Sequence, residues 1–252
     1  MMQINTLVLL LLIVCSMAQG QELVKDEVSV VYNNQIEFGL DILTTGFGLE
    51  VRRGKKITVS KRSFWEVNLK SYKDPKEIKT NSDFSVTSNF KSYSYGKLNS
   101  IHQLRLGYGR EWTLASKENK ENVSVNYILS GGLSTAFLKP YYLLVTQSIT
   151  NIDGQIFAVS TYEQFDFGAH GLGNIIERAP YRVGFGEMKL VPGAYVSTGL
   201  KFDYGNEFDL LRGIEAGLSL DAYPSGLPIL SQHPKEVLLF NIYLRFTYGR
   251  KW

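Results

Sequence analysis

Cysteine is almost missing from this chain: among 252 residues there is one, Cys15. It follows an apolar run, Leu7 to Val14, and precedes Ser16-Met17-Ala18-Gln19-Gly20, where the small residues Ala18 and Gly20 fit a signal-peptidase site. The expected division is a cleaved leader over 1–20 and a single mature domain over 21–252. Two features qualify this pattern: no Lys or Arg precedes the apolar run, and Ile13-Val14 lacks the small residue that lipid modification of Cys15 would need. Cleavage after Gly20 leaves a mature chain with no thiol, which excludes disulfides and a conventional structural zinc site. Long apolar runs are missing too. The first run falls short of the roughly 20 residues of a spanning helix, and no later segment replaces it. Histidine occurs three times, and the net charge of +3 is too small and too evenly spread to argue for nucleic acid. The chain has no long repeat, low-complexity segment or separate soluble domain.

What is present is strict alternation of apolar and polar residues. The last segment sets Leu238, Phe240, Ile242, Leu244, Phe246 and Tyr248 against Asn241, Tyr243, Arg245, Thr247 and Gly249. The same period of two recurs near residues 36–42, 47–52, 65–70, 103–112, 123–137, 190–203 and 213–221, which predicts eight strands. One greasy and one polar face on every strand suits an antiparallel up-and-down transmembrane β-barrel. The mean hydropathy of −0.09 is uninformative for such a fold, because a spanning strand devotes only about half its residues to lipid. Brief links at Lys55–Lys61, Ser116–Glu121 and Asn206–Phe208 alternate with longer ones at about 72–100, 138–187 and 223–235. Short periplasmic turns and long extracellular loops are the pattern of outer-membrane barrels, which places both termini in the periplasm. The tight first link, Thr44-Thr45-Gly46, is the exception. A ten-stranded variant, with Tyr141 to Thr146 and part of the third loop as an added hairpin, stays open at this point.

Eight strands enclose a space that side chains fill, whereas aqueous channels need about sixteen. The inward parity collects Glu37, Asp41, Glu50, Arg52, Glu66, Lys70, Arg105, Glu111, Lys201, Asp203, Glu215, Asp221 and Arg245. Acids outnumber bases, and glycines between them leave room for the long side chains. Buried ions must pair. The expectation is therefore a salt-bridged plug, with Glu37, Glu50, Arg52, Glu66, Arg105, Glu111, Lys201, Glu215 and Arg245 as its ion-pairing members. A proton or ion path would need a continuous wet column in addition.

The third loop, about 138–187, is long for a segment without strong alternation and is expected to be functional or folded. Its apolar residues Phe157, Tyr162, Phe165 and Phe167 are expected to pack across the barrel mouth or against a partner. Glu163, Asp166 and His170, with Glu177 or Glu187 downstream, are ligand types a divalent metal accepts, but their spacing is not diagnostic. No cofactor is implied. A rim-located lipid-modifying enzyme would need a nucleophile and base that meet, and Ser100 with His102 or Ser231 with His233 forms no nucleophile motif such as Gly-x-Ser-x-Gly. Asp74-Pro75-Lys76-Glu77 and His233-Pro234-Lys235-Glu236 echo one another as ordinary turn material.

Four further segments carry a resemblance: Tyr95-Gly96-Lys97-Leu98-Asn99, Gly131-Gly132-Leu133-Ser134 leading to Leu138-Lys139-Pro140-Tyr141-Tyr142-Leu143, Val191-Pro192-Gly193, and the closing Tyr248-Gly249-Arg250-Lys251-Trp252. They resemble small outer-membrane barrel proteins of Bacteroidota over nearly the whole mature chain. Phe246, Tyr248 and Trp252 likewise resemble the terminal sorting signal of bacterial outer-membrane barrels. The resemblance implies insertion by barrel-assembly machinery and, by analogy of fold alone, an accessory role beside another envelope protein. The sequence reading is thus a non-enzymatic outer-membrane barrel whose extracellular loops bind an envelope protein or lipopolysaccharide. Lys91, Lys97, Arg178 and Arg182 stand ready for lipid phosphates. The alternative is a lipid-modifying or metal-dependent enzyme at the rim, using His102 or His170.

Overall fold

The computed structural model describes residues 32–81, 90–116, 122–150, 156–205 and 209–252, with backbone alone at 148–150 and 156–157. The expected leader with Cys15 and most of the links at 116–121 and 206–208 lie outside these residues. Eight strands form one closed antiparallel ring: β1 Asn34–Leu43, β2 Gly46–Thr58, β3 Lys61–Tyr72, β6 Asn99–Ala115, β7 Ser124–Pro140, β11 Lys189–Asp203, β12 Leu210–Leu227 and β13 Glu236–Lys251. Closure falls between β1 and β13, in register from Gln35 opposite Lys251 to Leu43 opposite Tyr243. The two ends of the ring meet again where Asn34 and Trp252 exchange backbone hydrogen bonds. A closed ring leaves no unpaired strand edge.

Parity decides what each face carries. Phe38, Leu40, Phe47, Leu69, Leu106, Leu133, Leu200, Leu218, Phe240 and Ile242 are exposed on the outer wall, together with their neighbours on the same rows. Aromatic residues gather toward the end that carries the short turns, where Trp65 meets Tyr108 edge-on at 5.3 Å and Trp112 tilts against Tyr127 at 5.6 Å. The inner face holds the thirteen charged residues that parity assigned to it, all buried. The usual order of a soluble domain is inverted. Among the described residues no helix is long and apolar enough to cross a membrane, a fact that does not bear on strands.

Two link boundaries differ from those read in the sequence. β2 continues through Lys55 and Lys56, paired with Ser63 and Arg62, so the link is only Val59-Ser60. Strong polarity on both parities hid that strand end. β12 runs past Tyr223 to Leu227 across a register irregularity, which shortens the last loop to 228–235.

The third loop is a folded layer of its own. β8 Tyr142–Thr150, β9 Ile156–Gln164 and β10 Ile175–Arg178 form a three-stranded sheet in the order β10-β8-β9. The hairpin considered as a ninth and tenth barrel strand therefore exists, but it pairs within the loop and leaves the ring at eight. β4 Lys79–Thr80 and β5 Tyr93–Ser94 make a small ladder in the second loop.

Inward glycines set the space available inside. A Cβ on Gly107 would run into the Tyr195 hydroxyl and ring, and one on Gly39 would lie 2.9 Å from Arg245 Cδ. Gly107→Leu is expected to displace Tyr195 and to lower stability by about 1–3 kcal/mol through overpacking. Urea unfolding in micelles, followed by tryptophan fluorescence, measures this.

Candidate functional site

Two arginines organise the middle of the lumen. Arg245 on β13 reaches Asp41 (Nε to Oδ1 2.5 Å, Nη2 to Oδ2 3.0 Å), Glu50 (2.7 Å) and Glu215 (3.0 Å). Arg52 on β2 reaches Glu50 (2.5 Å), Glu66 (3.1 Å) and Glu215 (Nη1 2.5 Å, Nη2 3.1 Å). Neutral donors supply what the cations do not. Tyr243 donates to Glu215 at 2.7 Å and Tyr195 to Glu66 at 2.6 Å. Ser130 donates to Glu66 at 2.7 Å, and Asn68 bridges Asp41 and Glu50 at 3.0 and 2.8 Å.

Further pairs lie above and below this centre. Toward the long loops, Arg105 pairs with Asp221, Lys70 stands 3.7 Å from Asp41, and Tyr223 accepts from Gln103 at 2.8 Å. Toward the short turns, Lys201 meets Glu37 at 2.6 Å, Gln35 links Glu37 to Glu111, and Lys251 approaches Asp203 at 3.4 Å. Glu111 thus accepts from an amide and, among the described residues, has no cation within ion-pair distance, although its charge still acts on Lys201. The upper mouth is closed by an apolar cluster of Ile101, Ala136, Leu138, Tyr223, Leu227, Ile229, Leu230 and Leu239. The last loop supplies Ile229 and Leu230, so the fourth loop rather than the third seals the barrel.

Above that seal the three long loops interlock. Leu98 and Ser231 bond across to Ile229 and Gly96, both at 2.8 Å, and Lys76 meets Glu236 at 2.9 Å, which brings the two echoing Pro-Lys-Glu segments together. Lys97 was expected to face lipid phosphate. It is instead buried and donates to both oxygens of Glu77 at 2.7 and 2.8 Å. Lys91, Arg178 and Arg182 are exposed.

The third-loop residues divide. Tyr162 and Phe167 are exposed at 45% and 57%, whereas Phe165 is 5% exposed within a core of Tyr93, Leu143, Val145 and Ile175. Phe165 is therefore a core residue of the loop sheet, not a contact surface, because Tyr95 closes over it edge-on at 5.0 Å. The side chain of Phe157 lies outside the described residues. Glu163, Asp166 and His170 make a loop clasp. His170 Nδ1 accepts from the Asp166 backbone N–H at 3.0 Å, His170 Nε2 meets Glu163 at 3.1 Å, and Asp166 Oδ1 accepts from the Gly168 N–H at 2.9 Å. Both imidazole nitrogens are spent, and among the described residues no group of three His, Cys, Asp or Glu is placed to hold a metal. Glu177 accepts from the Lys91 N–H, and Glu187 accepts from the Tyr142 hydroxyl at 2.7 Å, a bond that holds the Tyr142 pKa above its ordinary value.

His102 and Ser100 lie on the outer wall of β6, with His102 Nε2 2.7 Å from the Tyr181 hydroxyl. The ring of His102 meets the Tyr181 hydroxyl and ring, and among the described residues no carboxylate lies within hydrogen-bond distance of it. Phe246, Tyr248 and Trp252 are exposed on and beyond the end of β13. Lys139 escaped the sequence reading as a separate feature. A cation on the outward parity of a strand was the signal for it.

No family model matches the chain, and no curated protein matches it. It is similar to the N-terminal β-barrel domain of Pseudomonas aeruginosa OprF at 10% identity, covering 86% of this chain and 97% of that one with a TM-score of 0.36. It is also similar to Neisserial surface protein A (9%, 87% and 95%, TM-score 0.38). The Yersinia pestis attachment invasion locus protein Ail gives 8%, 87% and 99%, with a TM-score of 0.36. The fold itself rests on this chain's own ring of strands.

Arg245→Leu leaves three carboxylates without their shared cation, and loss of one partner of a buried pair costs about 3–5 kcal/mol. Chemical unfolding is expected to move by that amount. A Glu215→Gln change added to Arg245→Leu is expected to restore part of it.

Proposed function

We propose that this protein is a bacterial outer-membrane barrel that conducts nothing and works through its outer surfaces. The observation that carries this reading is the filled lumen, with layered ion pairs beneath an apolar seal. An ion moving through would have to break buried pairs and enter the apolar cluster around Leu227 and Leu239. The exposed apolar wall on all eight strands supports a bilayer as its surroundings, since soluble monomers rarely expose a contiguous apolar patch beyond a few hundred Å². The long loops then face the cell exterior and the short turns the periplasm, as in barrels of this kind.

On this reading the interlocked loops form a recognition platform for another envelope component. Tyr162, Phe167, Leu172 and Ile78 are exposed on it, and a cleft of about 310 Å³ opens between Ile78, Tyr95, Leu172 and the Leu230–His233 turn. Exposed aromatic and aliphatic side chains held on a folded support suit a protein partner. The role is binding, as an accessory subunit or a surface receptor, and involves no catalysis.

Two measurements test this. The purified protein in planar bilayers is expected to give no steady conductance, and stable channel steps would contradict the closed lumen. A photo-crosslinking residue at Phe167 or Ile78 on intact cells is expected to yield one dominant protein adduct. Folded protein without an adduct at either position would contradict the platform.

A further inference from the structure

The segment returning from the loop sheet to β11 folds back over the outer wall of the barrel. Between this arm and the wall lies a groove of about 650 Å³, within the range of small-molecule sites. Its wall is Phe47, Leu49, Leu69 and Phe137, and its roof is Tyr181 and Phe185. Phe47, Leu49 and Leu69 are exposed on rows that continue down the lipid-facing surface, so the groove is open to the membrane.

A cation braces the two rings of its roof without itself lining the groove. Lys139, the penultimate residue of β7, is 5% exposed, with its ammonium 4.7 Å from the Tyr181 ring centre and 5.4 Å from that of Phe185. No carboxylate among the described residues lies within ion-pair distance of it. Tyr181 also holds His102, and Arg182 beside it is exposed. The one acid of the arm, Glu187, is taken by the Tyr142 hydroxyl. A buried lysine on a lipid-facing row, braced by two rings and lacking an anion, is complementary to a phosphate at the membrane interface.

We infer that this groove binds lipopolysaccharide, with an acyl chain against Phe47, Leu69 and Phe137 and a lipid A phosphate at Lys139. The inference rests on the outer-membrane reading above, which puts the groove in the outer leaflet. A second cation on the arm, the exposed Arg182, suits a head group with more than one phosphate over a phospholipid with one.

Native mass spectrometry of the full protein in mild detergent, titrated with lipid A, dephosphorylated lipid A or phosphatidylethanolamine, tests this. One lipid A per barrel is expected, preferred about tenfold or more over the other two, as one charge-assisted contact warrants. Lys139→Met is expected to remove that preference, Lys139→Arg to keep it, and Leu69→Trp, which fills the groove, to abolish retention. Folding of each variant is checked by heat-dependent gel mobility. Equal lipid A binding by Lys139→Met, or equal retention of phosphatidylethanolamine, overturns the inference. If the wild type stays in the outer-membrane fraction while lipid preference is absent, the groove assignment alone fails. Recovery in the soluble fraction would instead sink the outer-membrane reading.

Discussion

Arg52 and Arg245 between them pair with four carboxylates, two of them in common, in a space that water does not freely enter, and the rest of the barrel is arranged around keeping them there. Asp41 comes from β1, Glu50 from β2, Glu66 from β3, Glu215 from β12 and Arg245 from β13, so the network spans the seam where the ring closes. A slip of one residue in any of these strands would turn the ions outward and the Leu and Phe rows inward. The inner charges and the apolar wall therefore enforce one register together. Such a network is weak evidence for net stability, because desolvation offsets much of its attraction. Its stronger consequence is that only one alignment of the strands satisfies it.

Because both faces of a spanning strand obey the same two-residue period, the ring was legible in the sequence almost to its ends. All thirteen charges assigned to the lumen by parity are buried there. The loop layer was not legible, for physical reasons that differ by residue. The sheet of β8, β9 and β10 buries Leu143 and Val145 but also carries Tyr142 and Leu144 on the other parity, which blurs alternation. Phe165 looked like a contact residue because nothing in sequence announces Tyr95 or Ile175 as its neighbours. Lys97 finds Glu77 only when the second loop folds back on itself, and His170 is drawn into a clasp by a backbone N–H. Lys139 needed the arm from Tyr181 to Met188 to become distinctive.

With the lumen closed, the proposed function falls to the surface. The seal at Ile229 and Leu230 ties the last loop to Gly96 and Leu98 of the second, and Tyr95 and Tyr141 tie the second to the loop sheet. Loops held this way present fixed side chains, which limits the ordering cost a partner would meet. The same arrangement lays the third-loop arm against the outer wall and creates a groove that neither element has alone. The proposed platform and the groove thus both come from the packing of loops onto a barrel that is itself filled.

The proposed barrel sets lipid against one face of each strand and protein interior against the other, and fluorescence quenching by brominated lipid tests this most directly. In a Cys15→Ser background, single cysteines at successive positions of β12, such as Leu218, Ser219, Leu220 and Asp221, carry a bimane label in vesicles. Labels at Leu218 and Leu220 are expected to be quenched strongly, while Ser219 and Asp221 should resist labelling or quenching. Uniform quenching along the strand, or the opposite alternation, would contradict the inverted barrel.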